Sequence, residues 1–300
     1  MDQAKYQRTG SRPYRGRTFR RGGFRGGQRR DNDEDPYSKK VHTESGFLDS
    51  PVMLMFRDYA AKLDAKNDLY EILVKNSRDT TIESKRIIFL LLRCAGHQKG
   101  SLEVHQILTE ARTRIKELQN TALQKIAMDL YDQDAYLFNR AYSPGLQEYI
   151  ECLSLWHYLE HETLIGLDGV QKDLRFTVDG REFALLVTPS DYVLGISDLT
   201  GELMRYCITH AANPSAQVAI FRLCDFVRAV YVDFLRIPYG LCGKDFGTKI
   251  RVMFQSVIKI ERVCYQLALR QAEDLPVPPP KFIMKVDDFA EEGLDGAERF

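Results

Sequence analysis

Apolar residues recur at a helical spacing almost without interruption from Ser50 to about residue 270, and no other feature constrains the fold as much. Side chains three and four positions apart share one face of a helix, so the pattern predicts amphipathic helices that each bury one face. We expect helices at about 50–75, 80–96, 101–130, 144–165, 190–211, 214–236 and 244–271. With 300 residues and 44% hydrophobic side chains, the chain can form a substantial core. The sequence therefore predicts an all-α bundle of long antiparallel helices.

Local signals mark several helix ends and one exception to the helical pattern. Ser50 followed by Pro51 is a favourable start for the first helix. The second helix is expected to begin at Thr80 or Thr81 and to end at Gly96. The segment RFTVDGREFALLV instead has an Asp-Gly pair between β-branched and aromatic residues, which is typical of a hairpin turn. A short β-hairpin is one interpretation of this segment, and chain without strands is the other.

The two ends of the chain differ from the centre in charge and in hydrophobic content. Residues 1–45 form a basic tail rich in arginine and glycine, whereas residues 275–300 begin with a proline-rich spacer and end in an acidic stretch. Neither end has the periodic apolar residues that would offset the entropy lost on ordering, so we expect both to be disordered. The folded domain is expected at residues 46–274.

Targeting features and cysteines indicate a reducing compartment. The start of the chain lacks the apolar stretch of a secretory signal, and the run IIFLLL at 87–92 is far too short to cross a bilayer. The six cysteines are spread singly with no Cys-x-x-Cys pair, which is typical of reduced core residues. These features predict an intracellular protein. We expect it in the cytoplasm and nucleus, without a membrane partner.

Two pairs of acidic residues lie in otherwise apolar helical segments. Glu148 and Glu151 are three residues apart, and Asp198 and Glu202 are four apart. Burying a charge without a partner is costly, so these carboxylates need compensation. One interpretation is an ordinary surface network, in which Asp198 and Glu202 pair with Arg205. In the other, two facing helices direct all four acids at a hard cation, Mg²⁺ or Mn²⁺, which prefers oxygen ligands.

The helix that carries the second pair has further unusual residues. Asp191, seven residues before Asp198, is expected on the same face. Gly195 and Gly201 lie in the helix interior, where each costs roughly 1 kcal/mol relative to alanine. Interior glycines at such a cost indicate close approach by another backbone or by a ligand.

Three sequence blocks stand out, SRDTTIESKRIIFLL at 77–91, GLQEYIE at 145–151 and DYVLGISDLTGELMR at 191–205. They resemble the translin family and in particular its Trax branch, and the similarity continues in the same order from about residue 50 to about residue 269. The resemblance implies a translin-like bundle of about seven helices that assembles with translin into a closed, hollow hetero-octamer. It also implies a Mg²⁺-dependent endoribonuclease for single-stranded RNA, which removes passenger strands of small interfering RNA during activation of the RNA-induced silencing complex.

Carried over residue by residue, the resemblance assigns catalysis to the acids of the second and third blocks. It implies Glu148, Glu151 and Asp198 as catalytic residues, and Glu151 and Glu202 as direct Mg²⁺ ligands. Glu148 and Asp198 would complete the metal site or hold the attacking water. A metal-activated water does not need the RNA 2′-hydroxyl, so cleavage is expected to leave a 5′ phosphate and a 3′ hydroxyl.

Basic side chains are the remaining candidates. Lys85 and Arg86 are expected to contact RNA phosphates, and a solvated basic face is the equal alternative. Arg21 and Arg25 begin Arg-Gly-Gly triplets interleaved with aromatic residues, which suits phosphate contact and base stacking. A nuclear import signal or a solubilising arm would have the same composition. The alternatives to an enzyme are a non-catalytic protein that binds RNA or single-stranded DNA, and a structural partner of translin.

Overall fold

The computed structural model describes residues 50–213, 216–238, 243 and 245–273. The tails at 1–45 and 275–300 lie outside the described residues, so the expectation of disorder there stays a prediction. Backbone contacts divide the chain into two units, residues 1–55 and 56–300. Of the first unit, only residue 50 and the first residues of helix α1 are described.

Helices make up nearly all of the described structure. They are α1 Pro51–Leu92, α2 Leu102–Leu118, α3 Gln124–Asp129, α4 Ala135–His161, α5 Leu167–Asp173, α6 Pro189–His210, α7 Gln217–Leu235 and α8 Phe246–Ala272. A π-helical turn, Gln119–Leu123, joins α2 to α3 without a break, so the described residues contain about seven separate helices. The prediction of an all-α bundle of about seven helices is confirmed. Helix α6 lies at its centre and packs against α4, α7 and α8.

Helix α1 is a single helix of 42 residues, so the predicted division near residue 80 was wrong. Its start was predicted correctly, because Ser50 Oγ accepts a hydrogen bond from the Met53 amide at 3.2 Å. Thr80, the expected start of a second helix, lies inside α1, and its hydroxyl donates to the Asn76 carbonyl at 2.9 Å. This bond satisfies the hydroxyl without interrupting the helix. No glycine or proline occurs between Pro51 and Gly96 to end the helix earlier.

The hairpin interpretation of RFTVDGREFALLV is confirmed. Strands β1 Arg175–Val178 and β2 Arg181–Ala184 pair antiparallel. Asp179 and Gly180 between them have φ values of 50° and 76°. A two-residue turn with positive φ at both positions matches the twist of the flanking strands. Phe176 and Phe183 face each other across the pair and are buried, which attaches the hairpin to the core.

Helix α4 meets α1 where a proline interrupts its own hydrogen bonding. Pro144 lies inside α4 and has no amide hydrogen. The Ser77 hydroxyl of α1 donates to the Tyr142 carbonyl at 3.3 Å and accepts from the Gly145 amide at 3.0 Å. A Cβ on Gly145 would lie 2.4 Å from the Ser77 carbonyl oxygen, so this approach requires glycine. The contact sets the position of α1 against α4 one turn before Glu148.

Helix α6 meets α4 at Gly195, as the interior glycine predicted. A Cβ at this position would lie 2.8 Å from Ile150 Cβ and 2.9 Å from the Gln147 carbonyl oxygen. Gly201 differs, because an added Cβ there would meet no atom within 4 Å. The first glycine therefore serves helix packing, and the second faces open space.

Asp191 joins the start of α6 to α4. Its carboxylate accepts hydrogen bonds from the Ser143 hydroxyl, from Gln147 Nε2 at 3.0 Å and from Thr188 Oγ1 at 2.7 Å. The residue is buried. Although the helical spacing suggested a shared face with Asp198, Asp191 belongs to this packing network and does not line the pocket that Asp198 occupies.

Two predictions about cysteines and membranes can be compared with the described part of the chain. Its five cysteines, Cys94, Cys152, Cys207, Cys224 and Cys264, are free and buried, as expected of core residues. Cys242 lies outside the described residues. Among the helices of the described part, none has both the length and the apolar content needed to span a membrane.

Candidate functional site

Four helices direct side chains into one pocket of about 360 Å³. Helix α4 contributes Glu148 and Glu151, and α6 contributes Asp198 and Glu202. All four acids predicted from the sequence therefore line the same pocket. The rest of the lining comes from α1, α6 and α8, with Lys85, Ile88, Phe89, Ser197, Gly201, Arg205, Lys249 and Val252.

Three of the four acids are paired with basic side chains. Lys85 Nζ lies 3.1 Å from Glu148 Oε1, and Arg205 Nη1 lies 3.0 Å from Glu202 Oε1. The Lys249 ammonium donates to both carboxylate oxygens of Asp198. The surface-network interpretation is thus correct for Arg205 and Glu202. It was wrong for Asp198, whose partner comes from α8.

Glu151 is the exception among the acids. Its side chain is only 7% exposed, and it has no hydrogen bond or ion pair to any described residue. Burial is the largest of the effects that raise the pKa of this carboxyl to about 8, and the neighbouring carboxylates of Asp198, Glu148 and Glu202 follow in that order. Lys249 acts in the opposite direction. Glu151 is therefore mainly protonated at neutral pH, which is how the site avoids an uncompensated buried charge.

Only one of the two carboxylate oxygens of Glu202 has a partner among the described residues. Its Oε1 contacts Arg205, whereas its Oε2 is buried without a hydrogen-bond partner among the described residues. Burial raises the pKa of this carboxyl, and Arg205 lowers it. A buried oxygen without a donor is costly, so Oε2 is available to a cation that enters the pocket.

The donor set suits a hard cation, although the present arrangement is one of acid–base pairs. The pocket offers carboxylate oxygens, which suit Mg²⁺ or Mn²⁺ better than softer metals. In the described part of the chain, no three His, Cys, Asp or Glu side chains are arranged so that they could hold an ion as they stand. The unpartnered Glu202 Oε2 and the unpaired Glu151 are the two groups whose present environment a cation would improve.

The predicted basic residues divide between inside and outside the pocket. Lys85 lines it, but Arg86 is exposed, pairs with Glu83 at 3.3 Å and belongs to a separate groove. Arg21 and Arg25 lie outside the described residues. Their contacts with RNA, like those of Lys85, stay predictions.

Two residues that line the pocket, Lys249 and Phe89, were not predicted from the sequence as part of a site. Lys249 is 51 positions from Asp198, and only the packing of α8 against α6 brings them together. Phe89 lies in the apolar run IIFLLL, a pattern typical of core residues, yet it is 64% exposed. Its four-residue spacing from Lys85 was the available signal, because residues four apart share a helix face.

Two central helices of this all-α bundle direct two pairs of carboxylates into one pocket. Comparison of the sequence with known proteins shows to which family this bundle belongs. The model of the Translin family matches residues 68–271. The chain is 37% identical to Translin-associated protein X of Mus musculus over 273 residues, which cover 84% of this chain and 89% of the mouse protein. The Schizosaccharomyces pombe homolog is 30% identical over 224 residues, 73% of this chain and 88% of the yeast protein. The chain thus belongs to the translin family, in the branch of Translin-associated protein X.

A solved structure shares the fold at low sequence identity. The crystal structure of apo-NeC3PO superimposes with a TM-score of 0.54 at 17% identity, and the match covers 73% of this chain and 98% of that one. At this identity the similarity concerns the arrangement of helices. It agrees with the translin-like bundle that the sequence predicted.

Proposed function

We propose that this chain is the catalytic subunit of a complex with translin, and that the complex is a Mg²⁺-dependent endoribonuclease for single-stranded RNA. One observation carries the proposal. Two facing helices bring Glu148, Glu151, Asp198 and Glu202 into one pocket, where Glu151 is buried and unpaired. The name of the relatives, Translin-associated protein X, supports translin as the partner. The proposal extends to removal of passenger strands during activation of the RNA-induced silencing complex, in the cytoplasm and nucleus.

Glu151 and Glu202 would hold the Mg²⁺ ion, with Mn²⁺ as a substitute. Each has carboxylate oxygens that no described residue satisfies at present. When bound, the ion polarises a phosphoryl oxygen and lowers the pKa of a water molecule. Glu151 must lose its proton before its carboxylate can bind a cation, so metal affinity should increase as the pH rises towards about 8.

The other charged side chains would position water and RNA. Glu148 and Asp198 would orient the attacking water, while Lys85 and Lys249 would turn from their carboxylate partners to phosphate oxygens. Water that attacks phosphorus in line with the leaving 3′ oxygen leaves a 5′ phosphate and a 3′ hydroxyl. The RNA 2′-hydroxyl is then not the nucleophile.

Exposed apolar side chains support an assembly with translin. Large apolar residues are exposed on α1, α7 and α8, among them Tyr59, Leu63, Ile72, Val218, Val232, Phe254 and Tyr265. Such surfaces are unusual on a monomer and mark contacts with other proteins. Phe226, Val230 and Phe234, which are also on α7, pack against the core instead. We propose that translin covers the exposed surfaces in a closed, hollow hetero-octamer.

Expression without translin is therefore expected to give aggregated or poorly soluble protein, because the exposed apolar side chains of different molecules would associate non-specifically. Co-expression with translin should give one monodisperse complex. Size-exclusion chromatography with light scattering distinguishes the two samples. A soluble, monodisperse monomer of this chain would contradict the expectation, since translin would then not be needed to cover these surfaces.

Cleavage of a labelled single-stranded RNA by the co-purified complex tests the proposed activity. We expect cleavage in Mg²⁺ or Mn²⁺, none after chelation with EDTA, and recovery when Mg²⁺ is added back. The products should carry 5′ phosphates and 3′ hydroxyls, which phosphatase and ligase treatments detect. Cleavage that survives EDTA, or products with 2′,3′-cyclic phosphates, would exclude the metal-activated water.

A non-catalytic role remains the second candidate, because one observation favours it. Three of the four acids are already neutralised by basic side chains, and this pairing joins α1 to α4 and α6 to α8 without a metal. The chain would then bind RNA or single-stranded DNA, or stabilise translin, and the complex would cleave nothing. Absence of cleavage by an intact complex under all metal conditions would favour this role.

A further inference from the structure

The rim of the carboxylate pocket carries an exposed aromatic residue that neither the fold nor the proposed hydrolysis explains. Phe89 is 64% exposed, whereas Ile87, Ile88, Leu90 and Leu91 around it are buried. Its side chain lines the pocket. Among the described residues, no other aromatic ring stacks on it. Exposure alone would not distinguish Phe89 from other surface apolar residues, but its place in the lining of a charged pocket does.

Phe89 lies beside a cation that reaches the carboxylates. Lys85 is four residues earlier on α1, on the same helix face, and its ammonium contacts Glu148 at 3.1 Å. On α8, Lys249 and Val252 are three residues apart, and both line the pocket. Each helix therefore places a basic group at the carboxylates and an apolar group about one helical turn further along its axis, roughly 6 Å on α1 and roughly 4.5 Å on α8.

A pocket with one charged end and one apolar end matches the two parts of a nucleotide, its phosphate and its base. A phosphate would lie at the charged end, against Lys85 and Lys249, while the attached base would lie over the apolar side chains. Stacking of a base on an aromatic side chain strengthens binding by about ten- to hundredfold and tolerates any of the four bases, because each has a flat face. Val252 would narrow the space beside the ring.

We propose that Phe89, together with Val252, is a platform for the nucleobase next to the scissile phosphate. The inference rests on the proposed RNA-cleaving function and specifies which RNA the site accepts. A base inside a duplex has both faces covered by its neighbours, so the platform takes only an unpaired, unstacked nucleotide. The rim of the pocket then selects single strands with little sequence preference.

Fluorescence of 2-aminopurine tests base stacking separately from cleavage. Single-stranded RNAs with 2-aminopurine at successive positions are bound to the translin complex in EDTA. We expect the wild type to quench one position strongly, Phe89→Ala to leave that position bright, and Phe89→Trp to quench it again. Ile82→Ala, which truncates a half-exposed apolar residue of the same helix outside the pocket, should quench like the wild type.

Cleavage kinetics provide the second measurement. Removing the base next to the scissile linkage should reduce wild-type kcat/KM about tenfold or more, and should reduce that of Phe89→Ala little further, because the stacking contact is already absent. Equal sensitivity of both proteins to the abasic site, or equal quenching, would overturn the platform while leaving the nuclease intact. Binding and position-specific quenching without any cleavage would instead overturn the proposed activity and keep the platform.

Discussion

Replacing Glu151 with glutamine is expected to abolish RNA cleavage and, at the same time, to make the metal-free protein more stable. The carboxyl is buried among three other acids, and its pKa is raised to about 8. Glutamine keeps the shape of the protonated side chain but cannot become the anionic ligand that Mg²⁺ requires. We expect kcat/KM to fall by a factor of at least about 100, the range found when a group that stabilises transition-state charge is removed.

The stabilisation should depend on pH in a defined direction. Because the pKa of Glu151 is higher in the folded than in the unfolded protein, the folded state holds a proton that the unfolded state releases between about pH 4.5 and 8. The free energy of unfolding of the wild type therefore falls across this interval as the pH rises. Glutamine removes this loss of stability, so the free energy of unfolding of Glu151→Gln relative to the wild type should be about 3 to 4 kcal/mol larger at pH 8 than at pH 5.

Glu160→Gln on the exposed part of α4 is the matched control, since it makes the same chemical change outside the pocket. Denaturation in EDTA at pH 5 and pH 8 measures stability, and Mg²⁺ titration of the melting temperature measures metal binding. The wild type should gain stability from Mg²⁺ and Glu151→Gln should gain much less. Full cleavage by the variant, or no pH-dependent stabilisation relative to Glu160→Gln, would refute the assignment of Glu151.

Gly195→Ala is expected to destabilise the chain and to inactivate the site from a distance. The new methyl group would lie 2.8 Å from Ile150 Cβ and 2.9 Å from the Gln147 carbonyl oxygen, so α6 would have to move away from α4. Overpacking of this kind costs about 1 to 3 kcal/mol, more than the roughly 1 kcal/mol that alanine contributes to helix propensity. Since α4 and α6 carry the two acidic pairs, cleavage should fall about tenfold or more.

Gly201→Ala is the matched variant, because it lies on the same helix and its new Cβ would meet no atom within 4 Å. It should stabilise the chain by about 0.5 to 1 kcal/mol through helix propensity alone. The melting temperatures of the two variants, each co-purified with translin, make the comparison. Equal stability of both variants would show that α4 and α6 do not approach each other at Gly195 as closely as the structure has them.

The acidic pairs could be found from the sequence because the relevant geometry is local. Glu148 with Glu151, and Asp198 with Glu202, each lie one helical turn apart, and helix periodicity alone places each pair on one face. The turn at Asp179 and Gly180 could also be recognised in the sequence, because the positive φ values that such a turn requires favour an Asp-Gly pair. Family resemblance then connected the two pairs into one expected site.

Other features depend on which helix faces which, and no local pattern contains that information. Lys249 reaches Asp198 only because α8 packs against α6, and Phe89 is exposed because no element of the described residues covers that face of α1. Thr80 does not begin a helix, because its hydroxyl donates a hydrogen bond to the Asn76 carbonyl within α1. Serine and threonine act as caps or as interior residues according to such partners.

The sequence by itself determined the helical class, the hairpin and the four acids, because helix and turn preferences act over a few neighbouring residues. The tertiary structure alone decided how these acids are compensated. It paired Glu148, Asp198 and Glu202 with basic side chains and left Glu151 buried and protonated. The physical reason is that the cost of a buried charge depends on everything packed around it, including helices distant along the chain.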